Sequence, residues 1–470
     1  CDEGAKLIVT VDCGITAIDP IRVARERGVD VVVTDHHEWK ERPADEADSA
    51  SGAPGPMPFL PAANHIVHPR LPGGSYPNEH LCGAGVAFKL AWGVGQAMAG
   101  GGRVPAVLKD FLVEAMALAA LGTIADVVPL VGENRILAHF GLGGLKNTKL
   151  VGLRALIDSA DLTSKKIDSY HVGFLLAPRL NAAGRMGHAR LAVEMLTTAT
   201  EQRASDIATY LEQQNRQRQL TEKSILDAAL SQVDELKLAD ARAIVVGAVG
   251  WHPGVIGIVA SRLVDRFHRP SVVVAMDTMD EGGLGHGSGR SIDGFHLSKA
   301  LATVGHLLES HGGHEMAAGL KVKCANFGEF RDAFAACAGE SIDEAALVPR
   351  LRIDADAELA MIDESLVGDF ARLGPFGRGN PKPLLRCRDL VLTAPPRRIG
   401  KTGDHLTLQV KSGGRSGGGR PMKAIAFGAG DWADKLQEGD TVHLCVQPTI
   451  NEFNGYRNVE LEVKDLQRAD

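Results

Sequence analysis

The chain has 470 residues, is 44% hydrophobic and 23% charged, and carries a formal net charge of −7 at pH 7. That length predicts about three domains, and this balance of apolar and charged residues excludes a mostly disordered or fibrous chain. No stretch reaches the roughly 18 apolar residues a membrane helix requires; the longest candidate, residues 115–125, ends at Asp126.

Residues 6–11 form a short, β-branched strand ending at Asp12-Cys13-Gly14. Asp19-Pro20 supplies an N-cap and a first-turn proline for a helix that Gly28 closes. Residues 29–34 are a second buried-type strand, ending at Asp35-His36-His37. Two apolar strands flanking one helix make a βαβ unit, hence a parallel sheet covered on both faces. Polar residues stand just past both strand ends, the rim where open parallel sheets bind ligands.

Residues 44–61, rich in Ala, Ser, Gly and Pro, read as a surface loop. Helices follow over 84–98 and 104–121, and a long one over 199–233. The long helix has sparse apolar anchors at Ile207, Leu211, Leu220, Ile225 and Ala229, which suggests a connector between domains. A second α/β block spans 241–339, with strands at 243–246, 271–275 and 317–322. Within it, residues 285–290 read as a glycine-rich loop holding His286, Ser288 and Arg290, an anion nest of backbone N–H groups plus one guanidinium. From 351 onward, five short strands (390–393, 405–410, 423–426, 441–446 and 459–463) suggest an OB-like barrel.

The seven cysteines are scattered and form no C-x-x-C pair, which argues against a disulfide framework or zinc ribbon and for a reducing cytosol. No secretory signal is legible in Cys1-Asp2-Glu3, and the missing initiator Met implies a true start upstream. Charge is unevenly spread: residues 372–423 hold twelve Lys and Arg and two acids, a basic stretch able to meet phosphates.

Asp12, Asp35-His36-His37 and Asp126 are candidates to converge. Carboxylate plus imidazole suits Mn²⁺, Zn²⁺ or Fe²⁺, and a metal pair can activate water and clamp a phosphoryl group. A strand-end Asp is commonly an N-cap and adjacent histidines are commonly surface residues, but three such clusters together favour metal.

These residues also carry a family resemblance. Val11-Asp12-Cys13-Gly14, Thr34-Asp35-His36-His37-Glu38 and Ala125-Asp126-Val127-Val128-Pro129-Leu130, with Glu133-Asn134-Arg135 behind, resemble successive motifs of the DHH phosphoesterases. Pro178-Arg179-Leu180-Asn181-Ala182-Ala183-Gly184-Arg185-Met186, Gly250-Trp251-His252-Pro253-Gly254, Gly287-Ser288-Gly289-Arg290-Ser291 and His311-Gly312-Gly313-His314 are similar to the RecJ branch. So is Phe376-Gly377-Arg378-Gly379-Asn380-Pro381 ahead of the barrel. The resemblance implies an α/β architecture: a parallel-sheet DHH domain (1–198, N-terminally incomplete) and a smaller α/β DHHA1 domain (239–350) joined by a long helix (199–238), then an OB-like β-barrel (351–470).

Carried over to this sequence, the resemblance makes Asp12 a bridge between two divalent ions, Mn²⁺ or Mg²⁺, with His36 and Asp126 completing one of them. Asp35 would fix an imidazole and His37 would contact the scissile phosphate. Arg179, Arg185, Ser288, Arg290, Gly313, His314 and Arg378 would bind DNA or phosphate, and Glu133 with Arg135 would form an ion pair orienting Asp126. A further aspartate-rich motif of the family lies upstream of Asp12 and outside this sequence, so two or more metal ligands are expected there; this bears on the activity of these residues taken alone.

The implied activity is a 5′→3′ exonuclease on single-stranded DNA that releases 5′-mononucleotides in DNA repair and recombination. The implied setting is the cytoplasm, with a single-strand-binding protein and a helicase as partners and no membrane. Two rivals stand beside it: a DHH nanoRNase or nucleotide phosphatase, which would not need the barrel, and a non-catalytic single-strand-binding DHH protein, which would not need the metal ligands.

Overall fold

The first strand, Leu7–Val11, pairs in parallel with Asp30–Thr34, which pairs in parallel with His65–Val67. The register sets Val11 beside Thr34 and Thr34 beside Val67, so the chain leaves all three strands at one rim. Val31 and Val33 are fully buried against Ile21 and Ala24 of the intervening helix Ile18–Glu26. That helix starts earlier than the sequence suggests. Ala17, not Asp19, is its N-cap, and Asp19 sits in the first turn, where a carboxylate complements the positive end of the helix dipole.

The structure is a computed structural model and describes residues 1–41, 58–185, 188–278, 280, 282–413, 420–453 and 455–469. Most of the loop expected over 44–61, Met186, residues 414–419 and Asn454 lie outside the described residues. The chain divides into two units: Cys1–Leu150 with Leu162–Leu175 and Arg352–Asp470, and Val151–Asp161 with Leu176–Leu351.

In the first unit, helices Gly83–Met98, Ala106–Ala125 and Gly132–Leu145 follow the sheet. Leu81, Val86, Phe88, Leu112, Ala119 and Leu137 are buried together among them. The second of these helices runs past the expected end at 121, so that Asp126 becomes its C-cap residue.

The C-terminal part of the same unit is a barrel of strands Leu385–Leu392, His405–Ser412, Met422–Ala426, Thr441–Phe453 and Tyr456–Arg468, with two short flanking strands. Leu390 pairs with Ser412 and closes the sheet on itself. All five expected strands are present. The last two are far longer than expected, because their pairing extends to Phe453 opposite Tyr456.

The second unit carries a five-stranded sheet in the order Ile244–Val249, Ser271–Met276, Leu284–Arg290, Ala317–Lys323, Leu308–Gly313. Only the first pair is parallel. The helix Glu201–Glu235 is continuous over 35 residues and is capped by Thr200. Its C-terminal half belongs to the core of this unit: Ile225, Ala229 and Val233 pack on Ile244, Val246, Val259 and Leu263. Leu220, expected as an anchor, is instead 66% exposed.

The glycine-rich stretch 285–290 is not a loop. It is a strand hydrogen-bonded on both sides, so its amides serve the sheet rather than an anion. The glycines face a crowded side: a Cβ at Gly287 would stand 2.6 Å from Leu320 Cδ1 and one at Gly289 2.9 Å from Leu297 Cδ2. Strand alternation then turns His286, Ser288 and Arg290 to the opposite face.

Candidate functional site

Asp12 and Asp35 emerge side by side from the first two strands, the Asp12 amide donating to Thr34 O and the Asp35 amide to Val67 O. Asp12 adopts a left-handed backbone, φ 62°, an uncommon state that is often held at functional sites. His36 Nε2 lies 3.1 Å from Asp12 Oδ1 and 3.6 Å from Asp126 Oδ2. It is buried and makes no hydrogen bond. Asp12, His36 and His37 offer three ligand atoms within 4.8 Å of one another. An orphaned imidazole nitrogen faced by two carboxylates fits a divalent transition metal.

Asp35 is 1% exposed. Its Oδ2 accepts from the Ile15 amide at 3.0 Å, and its Oδ1 accepts from the His36 amide and lies 2.7 Å from His37 Nδ1. Burial works to raise this carboxyl, but those hydrogen bonds together hold it below the ordinary carboxylate value. It is therefore a carboxylate that orients the His37 ring. For His36, burial opposes the charged form, yet Asp12 and Asp126 carry its affinity for a proton above the ordinary value. Asp126 is pushed up, first by burial and further by Asp12, against the pull of His36.

Residues with no role assigned from sequence hold this cluster, and only Asn134 among them stood in one of the family motifs. A Cβ at Gly83 would fall 2.2 Å from Asp12 Oδ1, so a helix can begin against that carboxylate only with glycine there. His68 Nε2 lies 2.8 Å from His37 O, and its Nδ1 accepts from the Arg70 amide; Arg70 Nη2 donates to His36 O at 3.0 Å. Asn134, fully buried, donates to both His80 O (2.6 Å) and Pro129 O (3.0 Å), tying two loops beside the cluster. Besides Glu133-Asn134-Arg135, the small residues Cys82-Gly83-Ala84-Gly85 at a helix start were the legible signal among these.

The expected Glu133–Arg135 pair does not form. Glu133 accepts from Lys89 Nζ at 2.6 Å and from the Tyr76 hydroxyl, while Arg135 Nη2 donates to Leu373 O at 2.6 Å. The segment 373–380 docks here. Leu130 N–H donates to Arg378 O at 2.7 Å, Ser169 Oγ donates to Phe376 O at 2.5 Å, and a Cβ at Gly377 would meet Leu130 at 2.7 Å. Arg378 thereby lines a cavity of about 190 Å³ together with His36, Arg70, His80 and Pro129.

Within the second unit, Arg290 Nη1 donates to Ser288 Oγ (3.2 Å) and Gly289 O (2.7 Å). Arg185 Nη1 donates to Gly254 O at 2.8 Å. A Cβ at Gly257 would lie 2.9 Å from Ser288 Oγ and 3.0 Å from Arg290 Nη2, so the first turn of helix Ile256–Phe267 closes on these two side chains. Burial and then the nearby Arg185 lower the proton affinity of Arg290, and burial and then Arg218 do the same to Arg185. Clustered guanidiniums of this kind suit a dianion. Arg179 is mid-helix and paired to Glu212 at 2.8 Å. Gly313 ends the edge strand at φ 144°, where a Cβ would meet Ala317 O at 2.4 Å; His314 is exposed and its Nδ1 accepts from the Met316 amide.

Of the basic stretch in the barrel, Arg386 is held bidentate by Asp356, and Arg398 by Asp431 and Asp434. Arg378, Lys382, Arg397 and Lys401 have no acidic partner among the described residues.

Family models match three parts of the chain: the DHH family, N-terminal domain over residues 3–123, the DHHA1 domain over 240–340 and the RecJ OB domain over 353–465. The single-stranded-DNA-specific exonuclease RecJ of Bacillus subtilis is 36% identical over 464 residues, covering 99% of this chain and 54% of that protein. The chain thus spans about half the length of that relative. RecJ of Escherichia coli is 34% identical over 482 residues, covering 99% of this chain and 78% of that protein. The crystal structure of RecJ in complex with Mn²⁺ from Thermus thermophilus matches with a TM-score of 0.80 at 33% identity, covering 100% of this chain and 62% of that one. The corresponding Mg²⁺ complex matches at 0.75 and 30% identity, covering 99% and 62%. With its DHH, DHHA1 and OB parts in that order, and identity above 30% across nearly its whole length, this chain belongs to the RecJ family.

Proposed function

We propose that the protein is a metal-dependent exonuclease that hydrolyses single-stranded DNA from the 5′ end to 5′-mononucleotides, acting in DNA repair and recombination. The observation that carries this reading is the buried, unpartnered His36 Nε2 facing the carboxylates of Asp12 and Asp126. Two divalent ions, Mn²⁺ or Mg²⁺, held by Asp12, His36 and Asp126, would lower the pKa of a water and offset phosphoryl charge. Asp35 accepts from His37 Nδ1 and so leaves Nε2 of that ring to meet the scissile phosphate. Arg185, Ser288 and Arg290 hold a phosphate of the strand, and a terminal phosphate dianion suits the paired guanidiniums best. Arg378, Lys382, Arg397 and Lys401 track the backbone, which needs charge rather than base reading. A single-strand-binding protein and a helicase are the proposed partners, and seven free thiols suit the cytoplasm as the compartment.

The test is a pair of measurements on His36→Ala: Mn²⁺ affinity by calorimetry, and digestion of 5′-phosphorylated single-stranded DNA. Both should be lost. Cleavage that survives the substitution would remove the metal assignment, and a wild-type protein that binds DNA without cutting it would favour a binding role.

A further inference from the structure

Tyr170 and Phe174 stand in an unusual arrangement. Both rings are exposed, 60% and 66%, yet they stack on each other with centroids 4.8 Å apart and planes 29° from parallel. We propose that this pair is a stacking platform for nucleobases of a single-stranded chain, a binding site that rests on the nuclease reading above.

The local fold explains how the pair is held. Asp168 caps the turn Ser169–His171, accepting from the His171 amide at 3.1 Å and lying 2.6 Å from the His171 ring. The next turn, Val172–Leu176, is π-helical; such insertions occur often at functional sites. Val172 is fully buried, and a Cβ at Gly173 would touch Ile124, two residues before Asp126, at 4.0 Å. Ser169 donates to Phe376 O, two residues before Arg378. One short segment is thus anchored to the stretch that ends in a metal-ligand candidate and to the stretch that supplies a cavity arginine. It turns its two rings outward.

The chemistry selects the occupant. An offset ring pair is a flat apolar face with a hydroxyl at one edge, complementary to a base and indifferent to which base it is. Lys165 and Lys166 are exposed just upstream, with no acidic partner among the described residues, and would meet the phosphates beside stacked bases. An exonuclease that must accept every sequence needs stacking of this kind rather than hydrogen-bond readout.

The test measures binding of a fluorescent, 5′-phosphorylated oligodeoxynucleotide to the full chain with EDTA present, so that no cleavage occurs. Replacing both residues (Tyr170→Ala with Phe174→Ala) should weaken binding by about 10- to 100-fold. Phe174→Leu, which keeps apolar bulk without a ring, should lose affinity too, and Tyr170→Phe should keep it. An oligomer of abasic residues should bind the wild type and the double variant alike. Unchanged affinity in the double variant, or the same loss on the abasic strand, would overturn the platform while leaving the nuclease reading intact. A wild-type chain with no affinity for single-stranded DNA would overturn both.

Discussion

Arg135 Nη2 donates to the Leu373 carbonyl at 2.6 Å across 238 positions of sequence. With the Leu130–Arg378 hydrogen bond it fastens the segment that carries Arg378 to the chain just after Asp126, and the Ser169–Phe376 bond ties the same segment to the turn Ser169–His171. Arg135→Ala should therefore raise amide exchange over residues 373–380 and reduce single-strand cleavage several-fold, with Mn²⁺ affinity unchanged. Exchange rates identical to wild type would disprove the latch.

Gly83→Ala probes the Asp12 side of the cluster. The new methyl would fall 2.2 Å from Asp12 Oδ1, too close for either atom to stay, and overpacking of this kind typically costs about 1–3 kcal/mol. Displacement of the carboxylate predicts at least about tenfold weaker Mn²⁺ binding, one lost ligand being worth more than about 1.4 kcal/mol. Gly93→Ala, where a Cβ meets nothing within 4 Å, is the control and should bind Mn²⁺ normally.

Arg290 touches Ser288 and the edge of Gly257, so its guanidinium is fixed before any ligand arrives. Arg290→Ala should erase a preference for 5′-phosphorylated over 5′-hydroxyl strands, a loss of about 10- to 100-fold for one charge-assisted contact of roughly 1.5–3 kcal/mol. Arg290→Lys should restore only part of it, because an ammonium cannot keep the two-pronged geometry. Competition between the two strand types reads this directly.

Glu133 gives a pH dependence. Burial raises its carboxyl, but Lys89 and Tyr76 outweigh burial and hold it below the ordinary value of 4.5. A carboxyl depressed in the folded state contributes stability that is fully present above that ordinary value and is lost as pH falls through the lower folded value. Glu133→Gln should therefore flatten the acid limb of the stability curve below about pH 4.5 and lower the plateau at neutral pH by about 1–3 kcal/mol. Denaturant melts at pH 3 to 7 would show it, and parallel curves for the two proteins would refute the assignment.

Salt dependence separates free from committed arginines. Arg397→Ala and Lys401→Ala should each reduce the slope of log affinity against log salt by about one for single-stranded DNA. Arg386→Ala should leave the slope alone, since its guanidinium already holds Asp356 bidentate.

The local code was legible wherever one stretch of chain settles the outcome. The β-branched runs ending in Asp12 and Asp35, the long proline-free helix and the short barrel strands all follow from periodicity and punctuation, and so do the carboxylate and imidazole side chains at the sheet rim. Composition could not reveal which partner each polar group finds. Residues 285–290 read as a loop because glycine is permissive, yet they form a central strand, since crowding by Val274, Leu297 and Leu320 leaves room for nothing larger. Glu133 and Arg135, adjacent enough in sequence to suggest a pair, face Lys89 and Leu373 instead. Asn134, His68, Gly83 and the Tyr170–Phe174 stack gain their meaning only from residues distant in sequence. Charge, turn chemistry and hydrophobic period act over a few residues and are written in the sequence; hydrogen-bond satisfaction and close packing are decided between segments, and only the tertiary structure brings those segments together.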